Sequence, residues 1–136
     1  MKYFLLFIFL VNSTLSAKSL HDKAIHYYAN GDNKNAAWYF DRSCTKGNMR
    51  SCYSLANLYL NGSGVIKSTK KAIDLLENSC AALHTSSCLY LAFLYRGGTH
   101  VSQNNMTSQY YFNIACRRGN KTACKAIKNI IIPDNL

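Results

Sequence analysis

The sequence predicts an all-α fold: an α/α solenoid of helical hairpins cross-linked by disulfides. Three observations carry that prediction. Six cysteines fall at 44 and 52, 80 and 88, and 116 and 124, eight apart within a pair and 36 apart between pairs, which marks an internal repeat. Around each pair, apolar residues recur at i, i+3 and i+4, the period of a half-buried helix. Strand-like alternation is almost absent, and the single proline, Pro133, stands near the end.

The cysteine spacing specifies the hairpin. On one continuous helix, residues eight apart would stand about 12 Å apart, beyond the roughly 7 Å between Cα atoms that a disulfide tolerates. A turn must therefore intervene, and Gly47 and Gly119 stand where a helix would stop. The last turn of one helix then faces the first turn of the next, pairing Cys44 with Cys52, Cys80 with Cys88 and Cys116 with Cys124. Zinc is the competing reading. Structural zinc knuckles place ligands two to four residues apart, whereas here seven residues separate each pair and His21, His26, His84 and His100 follow no period. No metal or cofactor is expected.

Residues 1–17 read as a secretory signal peptide, with Lys2, the apolar run Tyr3 to Val11 and a small polar end. Ser16 or Ala17 can end it, and Leu15 makes the cut after Ala17 an imperfect one. The run is too short to span a membrane, and no cysteine before Cys44 offers a lipid anchor. The chain is therefore expected to be exported to the periplasm or beyond, without a transmembrane segment in its mature form. Residues 18–136 form one domain.

Within that domain residues 18–30 predict a first helix, ended by Asn30-Gly31-Asp32. Ala36, Tyr39, Phe40 and Cys44 mark one face of the second, with Trp38 off the stripe. The third carries Cys52, Leu55, Ala56, Leu58 and Tyr59 up to Gly62-Ser63-Gly64. The same grammar returns in Ala72, Leu75, Leu76 and Cys80, then in Cys88, Leu91, Ala92, Leu94 and Tyr95. Tyr111, Phe112 and Cys116 keep it once more. A closing helix at about 121–132 separates Cys124, Ile127, Ile130 and Ile131 from Lys121, Lys125 and Lys128, as a solvent-facing cap would.

Without the leader, 15 Lys and Arg oppose 6 Asp and Glu, a net charge of +9. A nucleic-acid binder gathers such charge on one face. Here only Lys67/Lys70/Lys71 and Arg117/Arg118/Lys121 cluster, as solvated helix faces do, so binding of a polyanion such as anionic lipid or acidic glycan is the less favoured reading and no nucleic-acid partner is expected.

The run from Cys52 through Leu55-Ala56, Leu58-Tyr59 and Gly62-Ser63-Gly64-Val65 to Ala72, Leu75-Leu76 and Cys80 resembles the Sel-one-like repeat. The paired cysteines resemble its Helicobacter cysteine-rich branch, and the resemblance covers residues 20–131. Departures are small: the usual L-G pair is Leu55-Ala56 and Leu91-Ala92, Leu83 replaces a turn glycine, and Thr99-His100-Val101 replaces G-x-G-V. The resemblance implies a right-handed α/α solenoid of tetratricopeptide-like hairpins. It also implies binding, with at most slow hydrolysis, of penicillin-like β-lactams or muramyl and peptidoglycan fragments. The alternative is a non-catalytic scaffold for an extended peptide or protein.

No catalytic residue is assignable. S-x-x-K occurs as Ser43/Lys46 and Ser68/Lys71 without S-D-N or K-T-G, Lys121-Thr122-Ala123 being a near miss. Ser68 reads better as a helix N-cap. Asp41 and Glu77 hold equivalent positions, but Asn113 follows in the third repeat, which speaks for a surface role. By analogy with tetratricopeptide repeats, the inward-facing positions are Tyr53, Asn57 and Leu60, then Leu89, Phe93 and Arg96, joined by His21, Ile25 and Tyr28 and by Lys125 and Asn129. Asn57 would hold an amide while Arg96 and Lys125 attract a carboxylate. A monomer is expected.

Overall fold

The computed structural model describes the backbone of residues 2–131 and the side chains of residues 15–129. Seven helices and no strand occur among the described residues: α1 Lys2–Ala29, α2 Asn33–Thr45, α3 Met49–Asn61, α4 Thr69–Ala81, α5 Thr85–Gly97, α6 Asn105–Arg117 and α7 Lys121–Ile131. Two compact units divide between Leu75 and Leu76, within α4.

In the first unit α1 packs on α2 and α2 on α3. Ala24, Ala36, Ala37, Phe40, Leu55 and Leu58 form its buried core, with Tyr27, Tyr39, Tyr59, Val65 and Leu75 packed around them. In the second, α5 packs on α6 and α6 on α7, and Leu76, Leu91, Ala92, Phe112 and Ala115 are fully buried. The expected stripes are thus buried or half-buried, except that in α7 the buried residues are Ala123 and Ala126 while Cys124 and Ile127 are half-buried, and Trp38 is half exposed as its off-stripe position implied. One boundary differs. The first helix does not begin at Lys18 but runs unbroken from Lys2, because residues 2–17 contain neither glycine nor proline to stop it. The cap helix ends at Ile131; the expected end at 132 and Pro133 lie outside the described residues.

All three hairpins close as the spacing required, with Cα–Cα distances of 4.7, 4.9 and 4.7 Å across Cys44–Cys52, Cys80–Cys88 and Cys116–Cys124. Helices approach that closely only where the flanking side chains are small. The residue before each cysteine meets the need: Ser43, Ser51, Ser79, Ser87, Ala115 and Ala123 are all fully buried. Burial obliges each serine hydroxyl to find a partner. Ser43 Oγ donates to the Ala17 carbonyl at 2.6 Å, Ser51 Oγ meets His21 Nδ1 at 2.8 Å, and Ser87 Oγ lies 3.0 Å from Ser79 Oγ and 2.8 Å from His84 Nδ1.

Helix starts recur with the same period. Asp32, Asn48, Asn104 and Asn120 each accept a backbone N–H three residues on, as does Ser68 from Lys71. Two turn residues are conformationally special. Leu83, in the place of the turn glycine, has φ +68° and is the sole non-glycine residue with positive φ among those described. Gly64 has φ +71° and lies directly against the Asn33–Lys34 backbone, where a Cβ has no room.

Leu83→Gly should therefore raise stability by about 0.5–1 kcal/mol, since a left-handed non-glycine residue costs roughly 1–2 kcal/mol and glycine returns part of that as unfolded-state entropy. Gly64→Ala should lower it by more than about 2 kcal/mol through strain and collision together. Urea denaturation of the oxidised protein measures both. Burial, opposed by Asp22 and aided by Arg50, holds the His21 pKa below its ordinary value. The stability linked to that lowered pKa is present above about pH 6.5 and is lost as pH falls. Midpoint against pH should be flatter in His21→Asn between pH 7 and 5.

Candidate binding surface

In the first unit the side chains expected to face inward do converge. Ile25 and Tyr28 from α1, Phe40 from α2, and Tyr53, Asn57 and Leu58 from α3 bound a hollow of about 110 Å³. Phe40 is 1% exposed and forms its floor, while Ile25 and Tyr28 are 45% and 50% exposed and form its rim. Asn57 sits at one edge, its Oδ1 accepting from Asn61 Nδ2 at 3.1 Å. Two of the expected residues are elsewhere. Leu60 is fully buried and offers a ligand no surface, because its position in α3 points into the core rather than along the Tyr53–Asn57 row. His21 is engaged behind the hollow with Ser51 and lies 5.8 Å from the Phe40 ring.

In the second unit Phe93 is 37% exposed and packs edge-on against buried Phe112, their centroids 5.2 Å apart. The Arg96 guanidinium lies 5.0 Å from the Phe93 ring and 5.4 Å from that of Phe112. The two rings hold a cation at the surface in a fixed pose. Leu89 on α5 is half-buried, and Lys125 and Asn129 on α7 are exposed.

The serines of both S-x-x-K matches are engaged in structural hydrogen bonds. Ser43 is buried with its hydroxyl on the Ala17 carbonyl, and Lys46 Nζ reaches outward to Ser16 Oγ at 2.9 Å. Ser68 caps α4, while Lys71 Nζ lies 5.3 Å from the Tyr59 ring. Neither S-x-x-K pair brings an amine to its serine. Glu77 Oε1 accepts from Tyr111 Oη at 2.9 Å, and Tyr111 stacks on Tyr95 at 6.1 Å. Burial, with Glu77 beside it, raises the Tyr111 pKa well above the ordinary phenol range. All six cysteines are bridged, leaving no thiolate for a metal.

A second surface went unnoticed in the sequence. Tyr27 and Tyr39 stack at 5.2 Å and 10°, Trp38 meets Tyr39 edge-on at 4.7 Å, and Arg42 lies 4.4 Å from the Trp38 ring. Its sequence signal was Trp38 itself, an aromatic at an exposed helix position four residues before an arginine.

Helical hairpins of one length, each closed by a bridge eight residues wide, define an α/α repeat protein. The chain belongs to the Sel1 repeat family, whose repeat matches residues 29–48, 50–82 and 85–120. Among solved structures it is similar to a Sel1 repeat protein from Oxalobacter formigenes, with TM-score 0.70 at 20% identity over 90% of this chain and 97% of that one. It is similar also to c5321, a protective antigen of uropathogenic Escherichia coli with an SLR fold, with TM-score 0.69 at 17% identity, covering 79% of this chain and 24% of that chain. A third likeness is to Helicobacter pylori cysteine rich protein B, with TM-score 0.61 at 25% identity over 81% of this chain and 96% of that one. No curated protein sequence matches. The three disulfides fit an extracellular or periplasmic location, and no described helix is long and apolar enough to cross a membrane.

The raised Tyr111 pKa has a stability consequence. The folded state keeps a proton that the unfolded chain releases near pH 10, so the associated stability is present below about pH 10 and is lost as pH rises through the folded value. Alkaline unfolding of Tyr111→Phe should lack that component, which a melting series from pH 8 to 11 resolves.

Proposed function

We propose that the protein is an exported, non-catalytic scaffold that holds an extended peptide segment of a partner protein. The observation that carries this reading is the size and lining of the hollow bounded by Ile25, Tyr28, Tyr53 and Asn57. At about 110 Å³ it matches one apolar side chain. An apolar floor takes the side chain, and the Asn57 amide, which both donates and accepts, suits the adjoining backbone. In the second unit, taken by itself, Arg96 steadied over Phe93 offers the chemistry for a carboxylate. Membership of the Sel1 repeat family supports an interaction role.

The second reading, binding of penicillin-like or peptidoglycan-derived ligands with slow hydrolysis, draws support from the likeness to the Helicobacter cysteine-rich protein. The engagement of Ser43 and Ser68 in structural hydrogen bonds weighs against its hydrolytic part. Export rests on the leader-like composition of residues 1–17 together with the bridges.

Peptides selected from a displayed random library on the oxidised protein should bind Tyr53→Ala and Asn57→Ala about tenfold more weakly each, the equivalent of roughly 1.4 kcal/mol. Leu89→Ala and Lys125→Ala should have smaller effects. Unchanged affinity in both α3 variants would remove the hollow from the reading. Turnover of a chromogenic cephalosporin above a heat-denatured control would favour the second reading instead.

A further inference from the structure

The composition of residues 1–17 leaves two cuts open. Signal peptidases place small residues at the first and third positions before the bond they hydrolyse. A cut after Ala17 puts Leu15 at the third position, and a cut after Ser16 puts Thr14 there. We propose that the leader is removed between Ser16 and Ala17, so that the mature chain begins at Ala17. The inference rests on the export reading above and adds to it the bond that is broken. Water adds across the Ser16–Ala17 peptide, leaving a carboxylate on the leader and an amine on Ala17.

Two features of the fold tie Ala17 into the body of the protein more firmly than the half-buried Ser16. The first is local packing. Ala17 is 4% exposed, whereas Leu15 is 65% exposed. The Ala17 carbonyl accepts from Ser43 Oγ at 2.6 Å, and Ser43, beside the first disulfide, is fully buried. A cut after Ala17 would carry that carbonyl away with the leader and strip the hydroxyl of its acceptor, a penalised state for a buried donor. Ser16 makes only an exposed contact, accepting from Lys46 Nζ at 2.9 Å, which contributes little at a surface.

The second feature is the repeat register. Ala24, Ala56 and Ala92 are each fully buried, and a tyrosine follows each three residues on, at Tyr27, Tyr59 and Tyr95. Tyr27 stacks on Tyr39 and Tyr95 stacks on Tyr111, so the three alanines hold one place in the repeat. Counting back seven residues from each gives Ala17, Met49 and Thr85. Met49 and Thr85 are the first residues of α3 and α5. Ala17 is therefore where the repeat itself begins this helix, and the residues before it extend α1 beyond the length used by its counterparts.

The full chain expressed with its leader in an exporting bacterium should yield an oxidised product whose N-terminal sequence reads Ala-Lys-Ser-Leu, one alanine heavier by intact mass than a chain starting at Lys18. A start at Lys18, or at a residue between Val11 and Ser16, overturns the inference while leaving export standing. A chain that keeps residues 1–17 overturns the export reading with it. As a second measurement, oxidised proteins starting at Ala17 and at Lys18 should differ in Tm by roughly 3–6 °C in favour of the former, and Ser43→Ala should narrow that gap by removing the hydroxyl that loses its acceptor. Equal melting of the two forms would show that Ala17 contributes nothing to the body and would overturn the argument.

Discussion

The close approach of paired helices at each disulfide is the constraint on which the rest of the structure depends. Cα atoms 4.7–4.9 Å apart leave no room for anything larger than serine beside them, and the residue before every cysteine is serine or alanine, fully buried. Each bridge closes a short loop, worth roughly 2.5 kcal/mol on the chain-entropy argument. That contribution matters in a chain with so small a core. The cysteine and its small neighbour act together: the small residue sets the distance and the bridge holds it. In the second unit Arg118, from the α6–α7 turn, adds a cross-tie, donating from Nη1 to the Cys80 carbonyl at 2.7 Å and lying 3.1 Å from Cys88 Sγ.

Burying serines rather than alanines at four of these six positions has a chemical cost that the structure meets in full. Each hydroxyl is taken from water and must be answered, and no buried side-chain nitrogen or oxygen among the described residues lacks a partner. The partners come from different places: the backbone of α1 at Ala17, the ring of His21, and the helix-start residue His84. The same demand accounts for the fate of the S-x-x-K pattern. Ser43 looks like a nucleophile only while its neighbours are unknown; with them known, it is a packing residue beside a bridge.

Each unit steadies an exposed aromatic from behind, Trp38 by Tyr39 and Arg42 in the first, Phe93 by Phe112 and Arg96 in the second. Aromatic faces beside cations are favourable contacts for side chains and carboxylates. The carboxylate at the repeated position, Glu77, is drawn into a hydrogen bond with Tyr111.

The sequence by itself determined the seven helices, their pairing into hairpins and the three bridges, because all of these follow from periodic signals read locally: the 36-residue repeat, the eight-residue cysteine step and the helical apolar stripe. The helix-start residues at 32, 48, 104 and 120 are legible in the same way as Ser68, as Asp or Asn before an apolar stripe. What only the tertiary structure decided is which side chains reach a common surface. Register along α3 is three-dimensional: Tyr53 and Asn57 share the hollow with Ile25 and Tyr28, while Leu60, three residues further round the helix, is sealed in the core. It also decided what answers the buried Ser43 hydroxyl: the Ala17 carbonyl, 26 residues away, is a partner that no local pattern carries.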